Sequence, residues 1–178
     1  GKPEYASQLC GTELTVNDSP TPHDQWLLLC DQHNPLAWFC LSDQLRKDAK
    51  ETVVALNKLG LKTEILTGDS SAAVQEVATA LGVTTVISNV SPQEKLAYIQ
   101  KLQSEGEKVV MVGDGINDIP VLAGAQTSIA MGSATDLAKT NADAVLISGE
   151  LYRLSDAIQL ARKTRSIIKQ NLTWSLTY

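Results

Sequence analysis

From about residue 38 the chain alternates short apolar runs with amphipathic stretches, and this alternation restricts the fold more than any other feature. In RKDAKETVVALNKLG, the residues Ala49, Val53, Leu56 and Leu59 share one helical face ahead of Gly60, a stop signal. LKTEILTGD reads as a strand leading into a helix over 70–81, with Ala73, Val74, Val77 and Leu81 inward. TTVISNV precedes a helix over 91–105 that turns Leu96, Ile99 and Leu102 inward. KVVMVGDG is followed by a short helix from Asn117, then TSIAMG, a helix near 135–140, and DAVLISG. Strands and helices in this alternation predict an α/β fold, a Rossmann-like parallel sheet with helices on both faces.

The two ends of the chain read differently. SPTPHDQWLLLCDQHNPLAWFCL predicts a β-hairpin, two apolar runs joined by DQHNP, belonging to an antiparallel element. Leu151–Tyr178 predicts a long helix carrying Arg162, Lys163, Arg165 and Lys169. A chain of 178 residues buries one sizeable core, so one domain with an appendage is expected. The net charge of −5 argues against nucleic acid, which is met by a basic face. Cys10, Cys30 and Cys40 lack CxxC spacing, which speaks for buried thiols rather than zinc or disulfides. No run of 18 apolar residues could span a bilayer. The first residues, GKPEYA, read as a piece of something longer.

In an open parallel sheet, ligands bind beyond the carboxyl ends of the strands. Three segments expected there carry polar groups: Thr67-Gly68-Asp69, the helix start holding Lys95, and Gly113-Asp114-Gly115. Asp114 and Asp118 stand four residues apart, a costly pairing unless a cation or a proton joins them. Their hard oxygens, with Asn117, suit Mg2+, and Gly113 and Gly115 let backbone approach closely. Thr67 offers a hydroxyl and Gly68 an N–H for a phosphoryl oxygen, and Lys95 can neutralise charge developing on it. Together these make a phosphoryl-transfer site. Singly, each has a plainer reading. TGD can be a turn with a helix cap, Lys95 a solvated helix residue, and Asp118 the cap of the short helix. No Walker loop occurs, and the order threonine, lysine, acidic pair differs from that of receiver domains.

The segments LTGD (66–69), SPQEK (91–95) and MVGDGINDIPVL (111–122) resemble the signatures of the haloacid-dehalogenase-like superfamily and, within it, the P-type ATPases. The likeness runs from about Leu41 to Tyr178, and SDQLR (42–46) resembles that family's DxxR segment. NDIPVLAGAQTSIAMG and TDLAKTNADAVLI are similar to the heavy-metal branch, copper pumps in particular, with Ala134 a departure at a position where relatives often carry glycine or another small residue.

The resemblance implies roles for individual residues. Thr67 and Lys95 would contact the phosphoryl group, with Gly68 and Asp69 in the same catalytic loop. Asp114 would bind Mg2+, with Asp118 beside it, and Asn117 and Asp118 would hold the loop to the phosphoryl site. Asp43 and Arg46 would connect the nucleotide and phosphorylation domains, and ATP would be the substrate of the intact parent. The implied division is a nucleotide-domain remnant over 1–40, a phosphorylation domain over 41–160, and a stalk helix over 161–178.

In this family the phosphate acceptor is the aspartate of a DKTGT segment on the sheet's first strand, and no DKTGT occurs here. Asp31 ends an apolar run but lacks the following threonine and sits in the hairpin, and Asp43 belongs to the DxxR match, so both read as structural or domain-linking. The expectation is therefore a catalytic head lacking its nucleophile strand. Its partners would be an upstream nucleotide-binding domain, the DKTGT segment, and membrane helices beyond Tyr178. That places it on the cytoplasmic face of a plasma or bacterial inner membrane. Two other functions are consistent with the same residues: a soluble phosphatase of the superfamily, and a non-catalytic module that binds Mg2+ or phosphate.

Overall fold

The computed structural model describes residues 8, 25–31, 34–41, 44–69 and 72–178. The chain divides into two units, one comprising 1–45 with 71–73, the other 46–70 with 74–178.

In the first unit, β1 (Gln25–Cys30) pairs antiparallel with β2 (Pro35–Leu41), as the two apolar runs predict. Asp31 closes the turn: its Oδ1 accepts from the Asn34 N–H at 2.6 Å, and its own N–H donates to the Asn34 carbonyl. Asp31 thus serves as a hairpin residue. A register shift at Leu29–Cys30 absorbs the turn's irregularity.

The second unit is α/β. Its elements follow in order: α1 (Ala49–Lys58), β3 (Glu64–Leu66), α2 (Ala72–Leu81), β4 (Thr85–Ile87), α3 (Pro92–Ser104), β5 (Val110–Gly113), α4 (Ile119–Gly124), β6 (Thr127–Met131), α5 (Asp136–Thr140), β7 (Ala144–Leu146) and α6 (Arg153–Thr177). A single 3-10 turn, Ile116–Asp118, stands between β5 and α4. Every pairing in this unit is parallel, because each strand returns through a helix. The core gathers Leu122, Ala130, Ala134 and Ala138, with Met111, Ile119 and Ala142 packed against them. Ala134 is therefore a core residue, and its small side chain is what the packing uses.

The sheet differs from a single continuous rim. Pairing runs β3–β4 in one piece and β5–β6–β7 in another. Among the described residues, β3 and β5 each leave one edge unpaired. A cleft of about 610 Å³ receives lining from both strands, including Leu66, Val110 and Met111, and from Tyr98, Ile99 and Leu102 of α3. The physical reason is simple: nothing in the described chain supplies a strand between them, and helix-mediated connections fix each piece separately.

Hydrogen bonds at the sheet's far side lock β6 to the approach to β7. Buried Ser128 donates its backbone N–H and its hydroxyl to Asp143 Oδ2, and its Oγ accepts from the Asp143 N–H. Gly132 N–H donates to the Leu146 carbonyl at 2.9 Å, an approach close enough to leave no room for a side chain. No described helix is long and apolar enough to cross a membrane.

Candidate functional site

The carboxyl ends of β3 and β5 deliver the residues singled out from sequence. Thr67, Gly68 and Asp69 follow β3 directly. Thr67 Oγ1 accepts from the Asp69 N–H at 3.1 Å, so the hydroxyl shapes its own loop. The loop is then joined to the chain leading into α3: Val90 N–H donates to the Thr67 carbonyl, and Asn89 N–H to that of Asp69. Asn89 adopts φ 57°, a left-handed conformation that asparagine tolerates better than most residues. A Cβ on Gly68 would stand 3.3 Å from the Val90 carbonyl oxygen, which accounts for a glycine there.

Ser91 starts α3 with a capping box. Its Oγ accepts from the Glu94 N–H, and Glu94 Oε2 accepts from the Ser91 N–H and hydroxyl, both at 2.7 Å. The bond from the Ser91 backbone, then that from its hydroxyl, holds the Glu94 carboxyl below the usual glutamate range. The S-x-x-E spacing in SPQEK is the sequence signal for this cap. Pro92 fits the first turn, and the cap sets the phase that carries Lys95 inward.

Lys95 is buried, and its Nζ donates to Asp118 Oδ1 at 2.8 Å. This removes the plainer reading of Lys95 as a solvated helix residue. It also removes the capping reading of Asp118, whose side chain makes no cap hydrogen bond to α4. The cation expected beside the acidic pair is therefore, for Asp118, a lysine ammonium.

Gly113 and Gly115 flank Asp114 and leave space for Asp118. A Cβ on Gly113 would lie 3.3 Å from both Cβ and Oδ2 of Asp118, and one on Gly115 would lie 3.4 Å from the same oxygen. Asp114 and Asn117 are exposed, and neither side chain bonds to a described residue. Among the described residues no cluster of three or more His, Cys, Asp or Glu side chains could hold a metal ion. Asp114 and Asp118 offer hard oxygen donors of the kind Mg2+ takes, which fits an ion completed by waters and a phosphate.

Asp43 lies outside the described residues. Arg46 is bonded to other residues than the Lys95–Asp118 pair: Nη1 donates to the Gly149 carbonyl at 3.2 Å and Nη2 to Ser133 Oγ at 3.4 Å. These partners are 103 and 87 residues away, a separation that carries no local sequence signal.

Residues 5–126 match the model of the haloacid dehalogenase-like hydrolases. A zinc-transporting ATPase of Bacillus subtilis (strain 168) is 46% identical over 136 residues, 76% of this chain and 21% of that protein. A copper-exporting P-type ATPase of the same organism is 41% identical over 138 residues, 78% of this chain and 17% of that protein. Among solved structures, a zinc-transporting PIB-type ATPase in its E2.Pi state superposes with a TM-score of 0.73 at 39% identity, over 85% of this chain and 25% of that one. The chain thus spans about a fifth of the length of the curated relatives it matches.

Proposed function

We propose, because this chain belongs to the haloacid dehalogenase-like hydrolase family, that it is the phosphorylation part of an ATP-driven heavy-metal pump. The observation that carries the reading is the Lys95–Asp118 pair, 2.8 Å apart and turned from water beside the exposed Asp114. An ammonium held by a carboxylate next to a second, uncommitted carboxylate suits a site where a phosphoryl group and a divalent ion meet.

The intact parent would transfer the γ-phosphoryl of ATP to an aspartate and then hydrolyse that acyl phosphate, coupling both steps to metal movement. Lys95 would bind a phosphoryl oxygen while Asp118 holds its Nζ in place. Thr67 would offer its hydroxyl proton to a second oxygen while its Oγ1 accepts from the Asp69 N–H. Gly68, whose N–H makes no bond to a described residue, would donate from the backbone. Mg2+, held by Asp114 and Asp118, would neutralise phosphoryl charge. Asn117 would steady the loop between those two carboxylates. Asp43 and Arg46 would serve the connection to a nucleotide-binding domain.

The acceptor aspartate belongs, on this reading, to a strand seated between β3 and β5. Among the described residues both of these edges are unpaired, and both strands line the same cleft. One inserted parallel strand would hydrogen-bond to a neighbour on each side at the usual strand spacing of about 4.7–4.9 Å. Its carboxyl end would then emerge between Thr67 and Asp114. The division into a nucleotide-domain remnant (1–40), a phosphorylation domain (41–160) and a stalk (161–178) follows from the same reading. So does a location on the cytoplasmic face of a membrane. The cargo is read as a heavy-metal ion of the copper or zinc kind, because a zinc-transporting and a copper-exporting relative match this chain at 46% and 41% identity.

The test is phosphorylation by Mg-ATP. The isolated chain should take no acid-stable, hydroxylamine-sensitive label. The same chain within its full-length parent should be labelled, and Lys95→Ala there should reduce labelling by about a hundredfold. Labelling of the isolated chain, or undiminished labelling of the variant, would overturn the reading.

A further inference from the structure

The shorter of two helices in the second unit, α1, is fastened at both of its ends to the longer one, α6. Asp48, which precedes α1, accepts through Oδ2 from the backbone N–H of Tyr152 at 3.1 Å, and Tyr152 is the residue from which α6 starts. At the far end Arg162 Nη1 donates to the carbonyl of Leu59, the residue that closes α1, at 2.7 Å. Because 48 meets 152 and 59 meets 162, the two helices run parallel.

The chemistry at each fastening is favourable twice over. Helix ends leave backbone donors and acceptors unsatisfied, and here one of each is satisfied by a charged side chain. The carboxylate of Asp48 stands at the positive ends of two helix dipoles, and the Arg162 guanidinium at the negative end of one. Buried Ala49, Thr52 and Val53 on α1 and Leu154 and Ser155 on α6 all lie near the Asp48 end of the pair. Arg46, the first residue of its unit, adds another near-end link through the Gly149 carbonyl just before α6. From Gln159 onward every residue is exposed, and the helix beyond Arg162, residues 163–177, projects about 22 Å at 1.5 Å per residue.

We propose that α1 and residues 153–162 of α6 form one strut, and that the Asp48 and Arg162 fastenings fix the direction in which residues 163–178 project. With both fastenings the projecting segment moves as a body with α1. With the far one lost, α6 is held at its start alone and swings about Tyr152. This inference does not depend on the phosphoryl chemistry proposed above.

Nitroxide labels at the exposed positions Lys50 and Gln170 test it by electron–electron distance measurement on the full chain, with Cys10, Cys30 and Cys40 replaced by serine. If that background fails to fold, labels carried on an unnatural ketone amino acid leave the cysteines in place. The parent should give one narrow distance distribution. Arg162→Ala should widen it about twofold with an unchanged far-UV spectrum, Asp48→Ala should widen it as well, and Arg162→Lys, which keeps a donor, should stay close to the parent. A parent distribution already as broad as that of Arg162→Ala would overturn the strut. So would a lysine variant no narrower than the alanine variant.

Discussion

Lys95 Nζ lies 2.8 Å from Asp118 Oδ1, and the two side chains keep only 11% and 17% of their surface in water. Removing one partner of so sheltered a pair leaves the other charged, partly desolvated and alone. Lys95→Ala should therefore destabilise the fold by about 2–3 kcal/mol, measured by urea unfolding. The double variant Lys95→Ala/Asp118→Ala should cost less than the two single losses added together. Strict additivity in that cycle would show that the pair contributes nothing as a pair.

Thr67 separates a structural role from a chemical one. Thr67→Ala deletes the acceptor for the Asp69 N–H and should cost about 1 kcal/mol, whereas Thr67→Ser keeps it. In the full-length parent, phosphorylation should follow the hydroxyl and survive in the serine variant. Loss of labelling in Thr67→Ser would locate the requirement in the methyl group instead.

Gly132→Ala should be among the most damaging substitutions in the chain. Its Cβ would stand 2.6 Å from the Ile147 carbonyl oxygen and 2.8 Å from that of Leu146, and both are backbone atoms that cannot turn aside. A loss of about 1–3 kcal/mol is expected from the forced shift, read as a lower denaturation midpoint at an unchanged slope. Gly124→Ala makes an instructive control. There the obstacle is the Leu96 Cδ1 methyl, a flexible side-chain end, and the loss should be smaller.

The capping box at α3 carries a pH signature. The Glu94 carboxyl titrates below its ordinary value of 4.5, chiefly through the Ser91 backbone bond. A carboxyl depressed by folding stabilises fully above its unfolded value, and that contribution disappears as pH falls through the folded one. Amide-exchange protection in the first turn of α3 should accordingly be flat at neutral pH and decline in acid. Glu94→Gln should abolish that decline, and a decline that persists in the variant would assign it elsewhere.

Much of the second unit is legible in the sequence because its elements are local. The 3.6-residue spacing of Leu96, Ile99 and Leu102 locates α3, and the apolar runs ending at Leu66 and Gly113 place their polar sequels on strand ends. The hairpin is legible for the same reason, two apolar runs a few residues apart. What sequence does not disclose is who partners whom at a distance. Lys95 and Asp118 both stand out as charges near the site, yet their ion pair spans 23 residues. Arg46 draws attention for its place in SDQLR, while its bonds to Ser133 and Gly149 arise from packing alone. The absent strand is signalled only by the missing DKTGT segment, which the family resemblance singles out. Where the interruption of the sheet falls is silent in the residues themselves, because strand neighbours in a parallel sheet are chosen by crossover connections rather than by adjacency.

That interruption has a practical side. Two backbone rims, each with a row of amides and carbonyls unanswered among the described residues, behave as adhesive borders toward any extended polypeptide in solution. Handled by itself at high concentration, this polypeptide will self-associate edge to edge, and dilution or a short apolar peptide added as a plug will keep it dispersed.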